Sequence, residues 1–322
     1  MAADIPTFTL NTGHKMPSVG MGCWLGPGGG GDVVEEMCKT ALKLGYRHID
    51  TAYGYFNEEK VGKAIRESGV PRSEIFLTTK LPNHHHDYVA ESLEESLEKL
   101  GVDYVDLYLM HWPQAYSRTD NKPIPYGQSP TFLETWKDME KLLETGKVRA
   151  IGVSNFSVKL LELLLKEASV VPATNQVEVH PCLPSFELKQ YCEDKGIVLT
   201  AYSPLGRPKE YDGKPVFLTD DDVVRIAKAH DATPGQVALS WGVQRGTVVI
   251  PKSENPERIK QNITLIKLSD EDMTALNVIH RKPGMHRSLL RYHSNSQDGT
   301  VFGWTYEQMG WNMVKGGIVA DK

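Results

Sequence analysis

Four polar residues of this chain have the side chains that reduction of a carbonyl group requires: Asp50, Tyr55, Lys80 and His111. Such a reaction delivers a hydride to the carbonyl carbon and a proton to its oxygen. A free tyrosine has a pKa of about 10 and donates poorly, so a neighbouring ammonium from Lys80 is expected to stabilise the phenolate and lower that pKa. Asp50 can pair with Lys80 and hold it, and His111 can hydrogen-bond the carbonyl oxygen and orient it.

The positions of these four residues favour a shared site. Each alone has an ordinary structural explanation, as a packed tyrosine, a lysine–aspartate pair or a core histidine. Together they lie at or just after the ends of three successive predicted strands: His48–Ala52, Ile75–Leu81 and Asp106–Trp112. Because the carboxyl ends of the strands in an α/β barrel all open on one face, the four side chains are expected to converge there.

Further apolar runs complete a set of eight predicted strands, separated by amphipathic helical patterns. They are Val19–Cys23, Arg149–Asn155, Asn175–Val179, Val198–Pro204 and Val248–Ser253. Eight strands alternating with helices predict the α/β class and a (β/α)8 TIM barrel, built as one domain over residues 1–322. Polar residues recur near the strand carboxyl ends, where barrel chemistry lies: Asp50, Lys80, His111, Asn155, Ser203 and Lys252.

Two segments are predicted outside the barrel. Thr9–Gly13 and His14–Pro17 predict a small N-terminal β-hairpin. A long C-terminal tail begins at about Arg281 and is rich in aromatic residues: Tyr292, Phe302, Trp304, Tyr306 and Trp311. Long connections in compact domains are often functional. The tail is therefore expected to lie over the active-site face and to contribute to a substrate pocket.

Sequence signals also mark several helix ends. Asp87 and Ser157 are predicted to cap helices with their side chains, and Gly101 is predicted to end the helix that follows Asp87. Thr233–Gln236 has the spacing of a capping box, with proline at the first helical position.

A run of glycines offers an alternative fold. Gly26–Gly31 satisfies the pattern G-x-G-x-x-G, and Asp50 lies downstream, where a Rossmann dinucleotide site has an acidic residue. The match is unspecific because a run of glycines fits many patterns, and Cys23–Leu25 separates it from the preceding strand. We therefore predict a flexible loop before a helix that begins near Asp32.

Five motifs, in order along the chain, resemble those of the aldo-keto reductase family. Asp50–Glu58 resembles the signature D-T-A-x-x-Y-x-N-E, and four further segments resemble later motifs: Thr79–Leu81, Leu109–Pro113, Gly152–Phe156 and Ile250–Ser253. The resemblance extends from the hairpin to about Asn262. It implies a TIM barrel that uses NADPH (or NADP+ in the reverse direction) to reduce an aldehyde or a ketone to an alcohol.

The resemblance also implies roles for residues around the nicotinamide. Tyr55 would donate the proton, and the other three residues of the tetrad would assist it or orient the substrate. The nicotinamide carboxamide would be bound by three residues: Ser154, Asn155 and Gln176. Tyr202 would stack on the nicotinamide ring, and Ser203 and Leu205 would line the path of the pyrophosphate.

The expected preference for NADPH has a physical basis. Lys252, Ser253 and Arg258 lie at or just beyond the last predicted strand, where the family binds the 2′-phosphate. Two cations and a hydroxyl suit a dianionic phosphate, and arginine can also stack on adenine. Asn262 matches an adenine contact of the family, whereas Gln261 stands where several members have a glutamate.

Aromatic residues predict an apolar substrate pocket above the nicotinamide, lined by Trp24, Trp112 and the tail. The consecutive histidines His84–His86 raise the alternative of a metal-dependent hydrolase on the same barrel. Adjacent side chains point in different directions, and no set of carboxylate ligands accompanies them. We therefore predict no metal and place these histidines in a solvent-facing loop.

The composition argues against several other classes. The 322 residues carry a formal net charge of −5, whereas nucleic-acid binding needs a basic face. No stretch is apolar enough to cross a bilayer, the N-terminus lacks a signal-peptide pattern, and the four cysteines form no C-x-x-C pair. We predict a cytoplasmic protein with reduced thiols that acts on a small-molecule carbonyl compound. The resemblance implies a monomer.

Gly303–Glu307 and its aromatic neighbours resemble the tails of fungal polyol or glyceraldehyde reductases, which are glycerol dehydrogenases in the reverse direction. Glyceraldehyde or another sugar or polyol carbonyl is therefore the expected substrate. The alternative is a non-catalytic NADPH-binding homologue with a structural or regulatory role, since a fold alone does not settle function. The intact tetrad favours an enzyme.

Overall fold

Eight parallel strands, paired in sequence order, form the centre of the protein. The computed structural model describes residues 5–206, 216–294 and 299–320. A short antiparallel hairpin of β1 (Thr7–Thr9) and β2 (Lys15–Pro17) comes first. The parallel strands follow: β3 (Met21–Gly22), β4 (His48–Asp50), β5 (Phe76–Leu81), β6 (Leu107–Met110), β7 (Ile151–Ser154), β8 (Thr174–Glu178), β9 (Val198–Tyr202) and β10 (Val248–Val249).

The first and last of these strands close the sheet into a ring. Val19, just before β3, forms a parallel bridge with Val249 of β10. The amide of Gly20 donates to the Val249 carbonyl at 2.9 Å, and the Val249 amide donates to the Ser18 carbonyl at 2.8 Å. The predicted (β/α)8 barrel is confirmed.

Helices surround the barrel between its strands and after the last one. They are α1 (Asp32–Lys43), α2 (Glu58–Glu67), α3 (Val89–Leu100), α4 (Phe132–Lys141), α5 (Val158–Glu167), α6 (Phe186–Asp194), α7 (Asp221–Ala229), α8 (Pro234–Gln244), α9 (Pro256–Ile263) and α10 (Asp270–Asn277). Each buries an apolar side, as α5 does with Leu160, Leu161 and Leu164. Fully burying one such leucine contributes about 1.5–3 kcal/mol. Within the described ranges, no helix is both long and apolar enough to span a membrane.

Most of the predicted helix ends are confirmed. Ser157 accepts from the amide of Leu160, Thr233 and Gln236 form the capping box, and Gly101 ends α3 in the left-handed conformation. The prediction for Asp87 was wrong. Tyr88 occupies the cap position of α3 without a side-chain bond, and the exposed Asp87 carboxylate lies 3.8 Å from Arg118 instead.

The N-terminal hairpin covers the amino end of the barrel. Leu10 and Met16 are buried there in a cluster with residues in or directly beside the strands: Phe76, Leu107, Leu109, Ala150, Ala173, Val248 and Ile250. A packed amino end leaves the carboxyl end of the barrel as the open face, where chemistry occurs in this architecture.

The tail folds into short elements beside that open face. It comprises α11 (Arg291–Ser294), a hairpin of β11 (Thr300–Val301) and β12 (Trp304–Thr305), α12 (Tyr306–Met309), and a hairpin of β13 (Met313–Val314) and β14 (Ile318–Val319). The side chain of Gln114 donates to the Val301 carbonyl, and the Trp304 indole donates to the Ile124 carbonyl, both at 2.9 Å. The tail is therefore joined to the long connection that follows Trp112.

Candidate active site

Lys80 lies at the centre of a buried cluster at the carboxyl ends of β4 and β5. Its ammonium donates to Asp50 Oδ1 at 2.5 Å, to the Thr51 carbonyl at 2.7 Å and to the Tyr55 hydroxyl at 3.3 Å. The ring of His111 lies 5.6 Å from that of Tyr55, centre to centre. Lys80 is 0% exposed and Asp50 is 1% exposed. The four residues predicted as the catalytic tetrad are thus brought together.

The turn that carries Tyr55 is held by the glycine-rich loop. Tyr55 ends a 3-10 turn, and the next residue, Phe56, has a φ of 56°. The Asn57 side chain donates to the Cys23 carbonyl at 2.8 Å and to the Gly29 carbonyl at 3.1 Å. A Cβ at Gly29 would lie 2.5 Å from the Phe56 carbonyl oxygen. The glycine run therefore lies against the Tyr55 turn, and the closed ring of strands excludes the Rossmann alternative.

Burial decides the protonation states of the site. Burial of the Tyr55 hydroxyl raises its pKa more than the nearby Lys80 ammonium lowers it. Lys80 therefore lowers the pKa of Tyr55 as expected, but desolvation outweighs this charge and the net effect is a raised pKa. Burial, together with Lys80, holds the pKa of His111 well below its usual value. At neutral pH the phenol is protonated and the imidazole is neutral.

Lys80 itself remains charged although it is buried. Desolvation acts to lower its pKa, but the Asp50 carboxylate and then Tyr55 act in the other direction, and the net effect raises the pKa. A buried ammonium that is held by Asp50 and the Thr51 carbonyl can therefore stabilise a phenolate at Tyr55.

The residues expected to bind the nicotinamide carboxamide lie beside this cluster, at the end of β7 and within β8. The Asn155 side chain donates to the His111 carbonyl at 2.9 Å, and its backbone has a φ of 67°. The Ser154 hydroxyl donates to the backbone carbonyl of Gln176 at 2.7 Å. The Tyr202 hydroxyl donates to Asn155 Oδ1 at 2.7 Å. These four predicted cofactor residues form one hydrogen-bonded group.

The residues expected to bind the 2′-phosphate lie around the first turn of α9. Arg258 Nε donates to the Ser253 hydroxyl at 3.4 Å, and the Arg258 amide donates to the capping side chain of Asn255 at 3.0 Å. The Lys252 ammonium contacts Glu254 at 2.9 Å. A hydroxyl, a guanidinium and a helix N-terminus in one place suit an anion, so these residues fit a phosphate.

The remaining predicted cofactor residues flank these two groups. Ser203 has a φ of 49°, and its carbonyl accepts from the Gly206 amide at 2.9 Å in the turn that contains the half-buried Leu205. Asn262 is 5% exposed on α9.

Aromatic residues form one wall of the site. The Trp24 ring lies 5.1 Å from the Tyr55 ring. The Trp112 ring is in contact range of three tail residues, with centroids 4.6–6.3 Å away: Tyr292, Phe302 and Trp311. The other two tail aromatics lie elsewhere: the Trp304 ring packs on Tyr126, and Tyr306 stacks on His293.

The three consecutive histidines do not all face solvent, which corrects the prediction. His86 is 1% exposed, its Nδ1 lies 3.1 Å from the Thr135 hydroxyl, and burial lowers its pKa to about 3. His85 is half-buried, with its Nδ1 2.8 Å from the Ser92 hydroxyl. In and after the 3-10 turn Asn83–His85, His85 thus contacts α3 and His86 contacts α4. In the part of the chain that the structure describes, no group of three or more potential metal ligands was found.

Sequence reasoning missed the residues that hold the catalytic turn. Asn57 belongs to the recognised signature but received no role, although it joins the Tyr55 turn to the glycine-rich loop and accepts from the Thr51 hydroxyl at 2.8 Å. The Tyr292 hydroxyl, 2.7 Å from the Tyr202 hydroxyl, was also missed. The asparagine of the signature could have indicated the role of Asn57, whereas nothing in the tail sequence indicated that Tyr292 pairs with Tyr202.

A closed parallel barrel that assembles this tetrad beside side chains suited to a carboxamide and a phosphate is the arrangement expected of an oxidoreductase that uses a nicotinamide cofactor. The sequence model of the Aldo/keto reductase family matches residues 19–281. The chain belongs to this family.

Relatives and solved structures agree with that membership. The chain is 46% identical over 313 residues to a glycerol 2-dehydrogenase (NADP(+)) of Saccharomyces cerevisiae, covering 92% of this chain and 96% of the relative. It is 43% identical over 297 residues to an aldehyde reductase of the same yeast, covering 87% and 93%. A crystal structure of a Bombyx mori aldo-keto reductase in complex with NADP superposes with a TM-score of 0.79 at 38% identity, covering 86% of this chain and 93% of that one.

Proposed function

We propose that this protein reduces an aldehyde or a ketone to the corresponding alcohol with NADPH, and that Tyr55 donates the proton. The observation that carries the proposal is the buried Lys80 ammonium, which contacts both Tyr55 and Asp50 on the open face of the barrel. NADPH, when bound, supplies the hydride. Two relatives carry the names glycerol 2-dehydrogenase (NADP(+)) and aldehyde reductase, which supports this reaction class.

Each member of the tetrad has a separate task in this proposal. The neutral imidazole of His111 hydrogen-bonds the carbonyl oxygen and orients it. The Tyr55 hydroxyl gives its proton to that oxygen and becomes a phenolate. The Lys80 ammonium stabilises the phenolate, and Asp50 holds Lys80 in place. Trp24 and Trp112 form the apolar wall against which the substrate lies.

Two groups of residues would hold the cofactor, one at its nicotinamide end and one at its adenine end. Ser154, Asn155 and Gln176 would bind the carboxamide, and Tyr202 would stack on the nicotinamide ring. Further residues would bind the rest of NADPH: Ser203 and Leu205 the pyrophosphate, Lys252, Ser253 and Arg258 the 2′-phosphate, and Asn262 the adenine. The contact between Arg258 and Ser253 and the helix N-terminus beside them support the phosphate assignment.

The proposed substrate is glyceraldehyde or another sugar or polyol carbonyl, supported by the glycerol 2-dehydrogenase relative. We further propose that the chain is a single domain that acts as a monomer in the cytoplasm. The four cysteines are buried and unbridged, as expected in a reducing compartment. A non-catalytic role has no support among the relatives named above.

Replacing one hydroxyl tests the proton donor. Tyr55→Phe is expected to lower kcat for glyceraldehyde reduction about a hundredfold or more, the usual contribution of general acid catalysis, while NADPH still binds. Oxidation of NADPH or NADH measures the loss of activity, and fluorescence titration measures the binding of NADPH. Tyr53→Phe is the matched control, because the Tyr53 hydroxyl bonds Glu95 on α3 and not Lys80. Full activity of Tyr55→Phe would show that Tyr55 is not the proton donor. A wild-type protein that binds NADPH but reduces no carbonyl compound would support the non-catalytic alternative.

A further inference from the structure

The two oxygens of the buried Asp50 carboxylate accept from different neighbours. Oδ1 accepts from the Lys80 ammonium at 2.5 Å, and Oδ2 accepts from the side-chain amide of Gln176 at 2.7 Å. Asp50 and Gln176 are each 1% exposed. One carboxylate therefore connects the ammonium that contacts Tyr55 to a side chain expected to bind the nicotinamide.

This contact fixes the orientation of the Gln176 side chain. A carboxylate only accepts hydrogen bonds, so Gln176 must turn its amide nitrogen towards Asp50. Its amide oxygen then faces the other way, and it accepts no hydrogen bond from residues 5–206, 216–294 or 299–320. That oxygen can accept from the NH₂ group of a nicotinamide carboxamide.

We propose that Gln176 is a positioning residue for the Asp50–Lys80–Tyr55 group, in addition to its expected nicotinamide contact. The inference rests on the proposed function. When the amide oxygen of Gln176 accepts a hydrogen bond, its N–H becomes a stronger donor to Asp50. Asp50 then offsets less of the Lys80 charge, and more of the ammonium field acts on Tyr55. An occupied nicotinamide site thereby makes the proton donor more acidic.

The direction of the effect follows from the groups that face Tyr55. Its titratable and charged neighbours come from several elements: Cys23, Asp50, Lys80, His111 and Tyr202. Burial is the largest influence on the pKa of Tyr55 and raises it, Lys80 lowers it, and Asp50 raises it. Removing the Gln176 donor exposes more of the Asp50 charge to Tyr55 and leaves Lys80 more fully neutralised. Both changes raise the pKa of Tyr55.

Two variants separate this role from cofactor binding alone. Gln176→Met has nearly the same shape but no donor for Asp50, and Ser154→Ala removes another expected carboxamide contact that does not contact Asp50. Both are expected to weaken NADPH binding by roughly 3- to 30-fold, measured by fluorescence titration. Only Gln176→Met is expected to move the basic limb of the kcat profile for glyceraldehyde reduction to higher pH, by about half a unit or more.

A second measurement uses the protein without cofactor. In a double-mutant cycle on unfolding, Gln176→Met and Asp50→Asn are expected to be non-additive, whereas Ser154→Ala and Asp50→Asn are expected to add. Gln176→Asn has a side chain too short for its amide to reach Asp50, so it is expected to shift the basic limb of the kcat profile as Gln176→Met does. It replaces Gln176→Met in these experiments if that variant does not fold.

Three results would overturn the inference: an unshifted limb in the Gln176 variants, an equal shift in Ser154→Ala, or additivity in the first cycle. Failure of the proposed function is distinguishable, because the wild type itself would then not reduce glyceraldehyde.

Discussion

At the scale of single residues, the site depends on which buried charges have charged partners. Lys80 and Asp50 neutralise each other, whereas the nearby Glu58 carboxyl is bonded to hydroxyls, those of Thr79 at 2.6 Å and Ser96 at 3.3 Å. Burial raises the pKa of Glu58 from its ordinary 4.5 to about 7, despite these hydrogen bonds. Between about pH 4.5 and pH 7, the folded protein therefore keeps Glu58 protonated, whereas an exposed glutamate would be charged.

The raised pKa of Glu58 predicts a pH-dependent stability. Between its ordinary value and the folded value, the folded state binds more protons than the unfolded state, so the free energy of unfolding falls as pH rises through that range. The shift from 4.5 to about 7 corresponds to a loss of up to about 3 kcal/mol. Glu58→Gln stays neutral and is expected to lack this loss. Denaturant unfolding at about pH 5 and about pH 8 measures it.

The adjacent Glu59 provides the control for that experiment. It is exposed at the start of the same helix, so Glu59→Gln is expected to keep the wild-type pH dependence. An unchanged pH dependence in Glu58→Gln would contradict the assignment.

Residue identities in the site could be predicted from the sequence, but their protonation and partners could not. Asp50, Tyr55, Lys80 and His111 follow strands in a recognised order, so their convergence could be inferred from topology. The direction in which the pKa of Tyr55 shifts could not be predicted, because it depends on how deeply the hydroxyl is buried. The contact between Gln176 and Asp50 depends on side-chain rotamers, which sequence spacing does not determine.

At the scale of elements, two loops set the position of the proton donor. The 3-10 turn that ends at Tyr55 follows β4, and the glycine-rich loop before α1 lies directly against it. Gly29 has a φ of 71°, and a Cβ there would lie 2.5 Å from the Phe56 carbonyl oxygen and 3.0 Å from that of Tyr55. The close backbone approach, together with the positive φ, requires glycine at this position.

Gly29→Ala is therefore expected to displace the Tyr55 turn. The added methyl group must push against backbone oxygens at a strained φ, at a cost of about 1–3 kcal/mol in stability. We expect a lower Tm and a lower kcat, because the hydroxyl moves relative to Lys80. Gly28→Ala is the matched control, since a Cβ there meets nothing within 4 Å. Equal behaviour of the two variants would show that the loop does not position Tyr55.

Element type was more predictable than element length. The predicted strand Val248–Ser253 is reduced to Val248–Val249, although the Ile250 amide still donates to the Ala201 carbonyl at 3.1 Å and the Pro251 carbonyl accepts from the Gly22 amide at 3.0 Å. The predicted strand Val19–Cys23 likewise retains only Met21–Gly22 and the Val19 bridge that closes the barrel. Apolar patterning marks buried residues and does not mark where strand pairing stops.

At the scale of the whole molecule, one buried carboxylate ties the tail to the barrel. Glu178, the last residue of β8, accepts from the Ser288 hydroxyl at 2.5 Å, the Leu289 amide at 2.7 Å and the His180 ring at 2.9 Å. Burial raises its pKa, but His180 and Ser288 are among the groups that lower it, and the net effect is a lowered pKa. This anchor could not be predicted from the sequence, because Glu178 and Ser288 are 110 residues apart.

Releasing this anchor is expected to loosen the tail. Glu178→Ala removes the contact with Ser288 and leaves the buried Leu289 amide without this acceptor, at a cost of about 1–3 kcal/mol for the unsatisfied amide. Once the tail is free, its aromatic residues no longer pack on Trp112. The KM for glyceraldehyde is therefore expected to rise about tenfold, and limited proteolysis is expected to cut the chain beyond residue 284 sooner than in the wild type.

Glu187→Ala, which removes an exposed carboxylate on α6, is the control and should behave as the wild type. If Glu178→Ala resists the protease and keeps its KM, the carbonyl contacts of Gln114 and Trp304 hold the tail without the carboxylate.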